Sequence, residues 1–154
     1  GERYGERNYG SFTYEETIRT FYLFTGPNIE KNKISSKLFS VLQIFPTLLE
    51  LCDCTHHSIQ KSIFSHLKFP KDDFEETLFT FSETGGLQGP FPSPKSPNVF
   101  CVKNSKFKLV YYKTPNNFEL FDLEKDQKEK NNLYGQSLEI EKILTKKLFD
   151  WIDR

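Results

Sequence analysis

Arg3 and Arg7 stand among Gly1, Gly5 and Gly10, ahead of a stretch that can start a helix. These are the first residues whose types and spacing could do chemistry. Glycine lets backbone approach a ligand closely, and a guanidinium grips a tetrahedral oxyanion through two parallel hydrogen bonds. The segment suits an anion-binding loop. It equally suits an exposed loop whose charge is balanced by Glu2 and Glu6. Residue types alone leave both open.

Cys52-Asp53-Cys54-Thr55-His56-His57 is the second candidate. Zinc ligands come as spaced pairs, with two to four residues between cysteines and three to five between histidines. Here one residue separates the cysteines, the histidines are adjacent, and no second pair follows. A buried thiol at a helix end, followed by a polar loop, is the reading this spacing favours. His56, His57 and His66 are the only imidazoles and share one short window, so no Ser-His-Asp arrangement can be argued. Neither a G-x-S-x-G elbow nor a G-x-x-x-x-G-K-[ST] phosphate loop occurs. Gly85, Gly86 and Gly89 are loop glycines.

The elements that must position these residues follow from capping and periodicity. Thr13-Tyr14-Glu15-Glu16 has the form of a capping box and predicts a short helix to about Thr20. Phe21–Thr25, ending at Gly26-Pro27-Asn28, predicts a buried strand and a turn. Phe45, Leu48, Leu49 and Cys52 recur at helical spacing, with Ser40 as cap and Pro46 in the first turns. Ile44 and Leu51 widen that face, so a well-buried helix is expected. Asp53–Asp73 is expected to be loop. Leu78–Phe81, Val99–Val102, Phe107–Tyr112 and Phe118–Leu123 predict strands, the last two joined by a hairpin loop at Lys113–Asn117. Glu83–Asn98, with three Gly and four Pro, predicts a long irregular loop. A last helix runs to Trp151, with Ser137 as its expected cap and Leu144, Leu148 and Trp151 facing inward.

At 154 residues the chain suits one domain or a large piece of one. Its 21 basic and 21 acidic residues cancel, which excludes a nucleic-acid binder relying on basic surplus and an electrostatic membrane-surface module. No apolar run approaches the ~20 residues that span a bilayer. Sixteen Phe can build a core despite the modest apolar fraction. Three irregularly spaced cysteines make no disulfide framework and suit a reducing, cytoplasmic compartment, although an export signal further upstream is compatible. A start at Gly1, without methionine, leads us to expect preceding sequence.

Several segments, in order, resemble one family. Gly1–Gly10 followed by Thr13-Tyr14-Glu15-Glu16-Thr17-Ile18-Arg19 resembles the sulfatases of the alkaline-phosphatase superfamily, in which a Gly-Glu loop runs into a Tyr-Glu-Glu-x-Ile-Arg helix. Leu23–Ile29 resembles their "I-I-x-G-P-x-I" strand and turn, and Val41–Cys52 their "D-I-F-P-T-L-L-E-L-A" helix. Phe81–Gly85 resembles a strand and loop, and Lys108–Tyr112 the "Y-K-L-I-Y" strand. Glu119–Asp126 with Glu129 and Asn131-Asn132-Leu133 resembles "E-L-Y-D-L-x-x-D-P-x-E-x-x-N-L". Gln43 and Gln127 replace the usual Asp and Pro.

The resemblance implies the C-terminal part of an α/β, alkaline-phosphatase-like mixed-sheet sandwich, with a small antiparallel sheet and a closing helix. Residues 1–75 would end the catalytic α/β domain, and 76–154 would form the antiparallel subdomain. It implies sulfate-ester hydrolysis in a longer parent, acting on a small molecule or glycan, with a divalent cation, usually calcium, whose Asp and His ligands precede Gly1. Arg3, Arg7 and Ser11 would line the anion site. The family's C/S-x-P/A-x-R nucleophile motif is absent, so no catalytic residue is assigned and this chain alone is expected to be inactive and without metal. A Lys or His is often found where Gly10 stands. Arg7 is the nearest cation, and its high pKa makes it a poor general acid. A phosphodiesterase or phosphotransferase of the same superfamily, or a non-catalytic remnant serving as an interaction module, are the alternatives.

Overall fold

The computed structural model describes residues 12–54, 60–68, 79–84 and 97–154. The chain divides into two compact units, one joining the segment up to Thr20 with Phe79–Arg154, the other running from Phe21 to Leu78.

The first unit is built on a four-stranded antiparallel meander: β1 (Thr80–Thr84), β2 (Val99–Lys103), β3 (Phe107–Tyr112) and β4 (Asn117–Asp122), in that spatial order. Registers pair Ser82 with Cys101, Cys101 with Val110, and Val110 with Glu119. Strand alternation sends two sets of side chains to opposite faces. Phe100, Val102, Leu109 and Leu120 pack under helix α4 (Glu139–Ile152) with Leu144 and Leu148. Val99, Cys101, Val110 and Phe121 pack on the other face against Tyr14. The central strands are thus buried on both sides, which is why they read as nearly continuous apolar runs.

Aromatic rings supply much of the helix-side core. Phe81 stacks on Trp151 (5.1 Å), Tyr111 on Phe118 (4.6 Å), and Phe118 on Tyr134 (4.8 Å). Turns are closed by side chains. Asn104 Oδ1 accepts from the Lys106 and Phe107 amides between β2 and β3, and a cis Thr114–Pro115 bond lies in the β3–β4 turn. Strand β1 starts two residues later than the apolar run Leu78–Phe81 suggests. Ser137 does not cap α4. It adopts φ 58° and Leu138 takes the cap position, while Glu141 reaches back to the Gly135 amide (2.9 Å).

The first helix, α1 (Glu15–Ile18), is shorter than expected. Thr13 is buried and does not cap it, and Tyr14 takes the cap position without a side-chain capping bond. The Glu15 amide is instead satisfied by Glu129 Oε2 at 2.7 Å, a partner 114 residues away.

The second unit holds a 3₁₀ turn (Val41–Gln43), α2 (Ile44–Leu51) and α3 (Phe64–Lys68). Ser40 and Gln43 form a capping box, but it caps the 3₁₀ turn that leads into α2; Gln43 takes the cap position of α2 itself, without a side-chain capping bond. Gln43 also donates from Nε2 to the Lys61 carbonyl (3.3 Å), a bond no carboxylate could make. Helix α3 falls inside the stretch read as loop, and the Ser62 hydroxyl accepts from the Phe64 amide at its start.

Two expectations fail here. Phe21–Thr25 forms no strand: no described strand lies beside it to share its backbone hydrogen bonds, and Phe21 and Leu23 are exposed. Helix α2 turns its polar side inward. Gln43, Pro46 and Thr47 are buried, whereas Phe45 and Leu48 are exposed. The reason is a hydrogen-bond hub. Thr47 Oγ1 donates to the Gln43 carbonyl (2.5 Å) and accepts from the Ile63 amide (3.0 Å), which fixes that side against 61–63.

The α4–sheet contact can be tested by truncation. Leu148→Ala, at a fully buried site, should cost about 2–5 kcal/mol. Ile143→Ala, on the exposed side of the same helix, should change stability by less than about 0.5 kcal/mol. Urea unfolding midpoints of the two variants would check both values.

Candidate functional site

Arg3, Arg7 and Ser11, and likewise His56 and His57, lie outside the described residues. The structure does show what holds the chain immediately after Ser11. Tyr14 and Glu15 enter the sheet face opposite α4 and meet side chains from three strands and one turn.

Lys108 is the centre. As the second residue of β3 it alternates with Phe107 and Leu109 and so points to the α1 face. Its side chain is completely buried, with Nζ 2.7 Å from Glu129 Oε1 and 3.3 Å from Glu15 Oε1. Lys103, two positions from Cys101 on the same face, binds both Glu15 oxygens at 2.9 and 2.8 Å. Two cations thus meet two anions, and their formal charges cancel. Burial pushes the Glu15 carboxyl upward. Lys108 and Lys103 together outweigh that influence and hold it below its ordinary value.

Beside this cluster, the Tyr14 and Tyr112 hydroxyls lie 2.8 Å apart. Both are within reach of Glu119 Oε2, at 2.8 and 2.9 Å. Burial, together with the hydrogen bond to Tyr14 and the charge of Glu119, raises the Tyr112 phenol far above its usual range, so it stays protonated. The Lys108 ammonium also sits 5.9 Å from the centre of the Tyr14 ring.

The turn after β4 delivers Glu129. Asp122 Oδ1 accepts from the Glu124 and Lys125 amides, and Asp126 Oδ2 from the Asn131 amide. Glu129, at φ 49°, then folds back to Lys108. Asn132 accepts from the Leu120 amide and donates to the Phe118 carbonyl, closing the outer edge of β4. Glu119, Asp122, Asp126, Glu129 and Asn132 of the quoted C-terminal motif therefore each have a structural partner. The cluster offers no free nucleophile. Its chemistry is anchoring: it fixes the exit of the N-terminal segment on the sheet.

Reading the sequence missed that Glu15, Lys108 and Glu129 meet. The available signal was Lys108 itself, a lone charge inside an apolar strand. Cys52 is exposed, as is Cys54, contrary to the buried thiol expected. The inward face of α2 is its polar one, so the helix end carries Cys52 into solvent. Among the described residues no three His, Cys, Asp or Glu side chains come together to hold a metal ion. No described helix is long and apolar enough to cross a membrane.

The fold of this chain is similar to part of several solved sulfatases. A protein of Bacteroides thetaiotaomicron VPI-5482 assigned to the sulfatases superposes with TM-score 0.71 and 24% identity, over 92% of this chain and 30% of that one. A 2-O GAG sulfatase gives TM-score 0.66 and 26% identity, over 86% of this chain and 29% of that one. A third, solved with its substrate D-glucosamine-2-N,6-O-disulfate, gives 0.58 and 18%, over 71% of this chain and 23% of that one. The chain therefore spans less than a third of the length of these relatives. The family model of the N-sulphoglucosamine sulphohydrolase C-terminal region matches residues 5–153, and the chain belongs to that family. Comparison with curated proteins gives no match.

Removing Lys108 leaves two buried carboxylates facing each other. Lys108→Met, which keeps the apolar stem, should lose about 3–5 kcal/mol in a urea titration. The pH dependence has a definite sign. A carboxyl held below its ordinary value contributes stability above that value, near 4.5, and loses it as pH falls through the lower folded-state value. Midpoints measured from pH 7 downward should therefore fall more steeply below 4.5 for the natural chain than for Glu15→Gln.

Proposed function

We propose that this chain is the C-terminal part of a hydrolase that cleaves sulfate esters on a sugar, and that it contributes the substrate side of the site rather than the nucleophile. The observation that carries this reading is the clamp of Tyr14 and Glu15 onto Lys103, Lys108 and Glu119. It fixes the chain three residues beyond Ser11, so that Arg3, Arg7 and Ser11 act from an anchored root. Guanidinium groups there would bind the terminal oxygens of a sulfate ester by charge-assisted hydrogen bonds. The sulfated-glucosamine complex of one structural relative supports a sulfated sugar as the ligand class.

The nucleophile and the Asp and His ligands of a divalent cation, proposed to be calcium, would come from sequence before Gly1. When bound, such a cation neutralises charge on the transferring group. Residues 1–75 would complete that catalytic domain. The exposed Val41 and Leu42 of the 3₁₀ turn, with Phe45 and Leu48 of α2, would then pack inside it. Residues 76–154 would form the C-terminal subdomain.

The test uses the product of the complete coding sequence, assayed with 4-nitrophenyl sulfate and with glucosamine sulfates. Sulfate release is expected, and Arg7→Ala should lower kcat/KM about a hundredfold. The 154-residue chain alone should release none. Metal-dependent turnover by this chain alone would overturn the division of labour. Release of phosphate but not sulfate by the complete product would replace the sulfatase reading with a phosphoryl one.

A further inference from the structure

The pair Cys52 and Cys54 has no task in the sulfate chemistry. Helix α2 ends in a reversal made by two backbone bonds. The Cys54 amide donates to the Leu49 carbonyl (2.9 Å) and the Asp53 amide to the Glu50 carbonyl (3.1 Å). This is how a helix closes around one left-handed residue. Asp53, at φ 54°, is that residue, and Asp is among the few side chains that tolerate it. The two cysteines therefore flank a turn that the backbone already holds. Both are exposed and free. The Cys54 thiol leans back over the turn, 3.6 Å from the Cys52 carbonyl oxygen.

Whether cysteines two positions apart can join depends on the residue between them. An extended middle residue holds the flanking Cα atoms about 7 Å apart, at the limit beyond which a disulfide does not close. A left-handed residue in a helix-ending turn draws them inside that limit. Cys101 is different: it is fully buried in β2, and burial pushes its thiol up, so it takes no part in exchange.

We propose that Cys52 and Cys54 form a reversible disulfide, a modification site whose oxidant is a low-molecular-weight disulfide such as oxidised glutathione. One thiolate of the pair attacks a sulfur of glutathione disulfide. That S–S bond breaks, and one glutathione leaves as the thiolate and takes up a proton. The other protein thiolate then attacks the protein sulfur of the mixed disulfide and releases the second glutathione. Two protein thiols lose two electrons and two protons, and glutathione disulfide gains both. The product ties the residue that caps the end of α2 to the one that follows the left-handed Asp53.

The test equilibrates the protein with glutathione buffers of varied ratio, quenches in acid, and weighs the tryptic peptide of residues 38–61, which contains both cysteines and not Cys101. The peptide should be two mass units lighter, without glutathione, while Cys101 stays reduced. Because the turn is ordered beforehand, the closure constant in native buffer should exceed that in denaturant by about tenfold, the cost of fixing one residue. Cys54→Ser should stop instead at a glutathione adduct on Cys52. Four results would overturn the proposal: separate adducts on Cys52 and Cys54, disulfide-linked dimers, thiols that stay reduced at every ratio, or equal constants in native buffer and denaturant.

Discussion

A lysine with no exposed side-chain surface sets the terms for the sheet unit. Burying an ammonium costs several kcal/mol unless oxygen partners replace its water. Lys108 lies in a central strand, so water cannot reach it and its partners must be brought in. Glu15 comes from α1 and Glu129 from the turn after β4, on opposite sides of it in sequence. Neither segment can leave the sheet without stranding the charge. Tyr14 adds apolar cover on the same face and a hydroxyl bond to Glu119, so the anchor is both apolar and polar. The position of the N-terminal segment thus follows from one buried charge.

The second unit is organised on the opposite principle. Its interior side is held by directional bonds through Thr47, Gln43 and His66, the last with its Nε2 3.0 Å from the Ser35 hydroxyl. Several of its large apolar side chains, Phe21, Leu23, Phe45 and Leu48 among them, face outward, although Ile63 is buried. Burial of such groups is the main favourable term in folding. A unit that leaves them exposed gains little from it and leans on its hydrogen bonds. The sheet unit has Leu109, Leu120, Leu144 and Leu148 at zero exposure and resembles a self-sufficient core.

Recognition and chemistry separate in this family segment. The quoted motif residues Asp122, Asp126, Glu129 and Asn132 each close a turn, pair a buried charge or finish a strand edge. They identify the fold because the fold needs them. The residues proposed to touch sulfate, Arg3, Arg7 and Ser11, stand before the anchor. A motif can therefore be intact while the activity depends on what lies ahead of it.

The sequence by itself determined the sheet and its closing helix. Strand alternation in Phe107–Tyr112 and the 3.6-residue spacing of Leu144, Leu148 and Trp151 are local properties, and they survive packing. The resemblance was legible for the same reason, since turn residues and buried strand residues are read in order along the chain. Only the tertiary structure decided the rest. The amide of Glu15 is satisfied by Glu129 and not by its neighbour Thr13, because a charged partner 114 residues away offers a better acceptor than the local hydroxyl. Which side of α2 turns inward was decided by the Thr47 bonds to Gln43 and Ile63, not by the apolar stripe. Phe21–Thr25 has strand-forming residues and no described strand beside it, and a strand exists only where another shares its hydrogen bonds. Periodicity records which residues could face a core. It does not record which partners arrive there, because those partners are set by contacts between residues far apart in the chain.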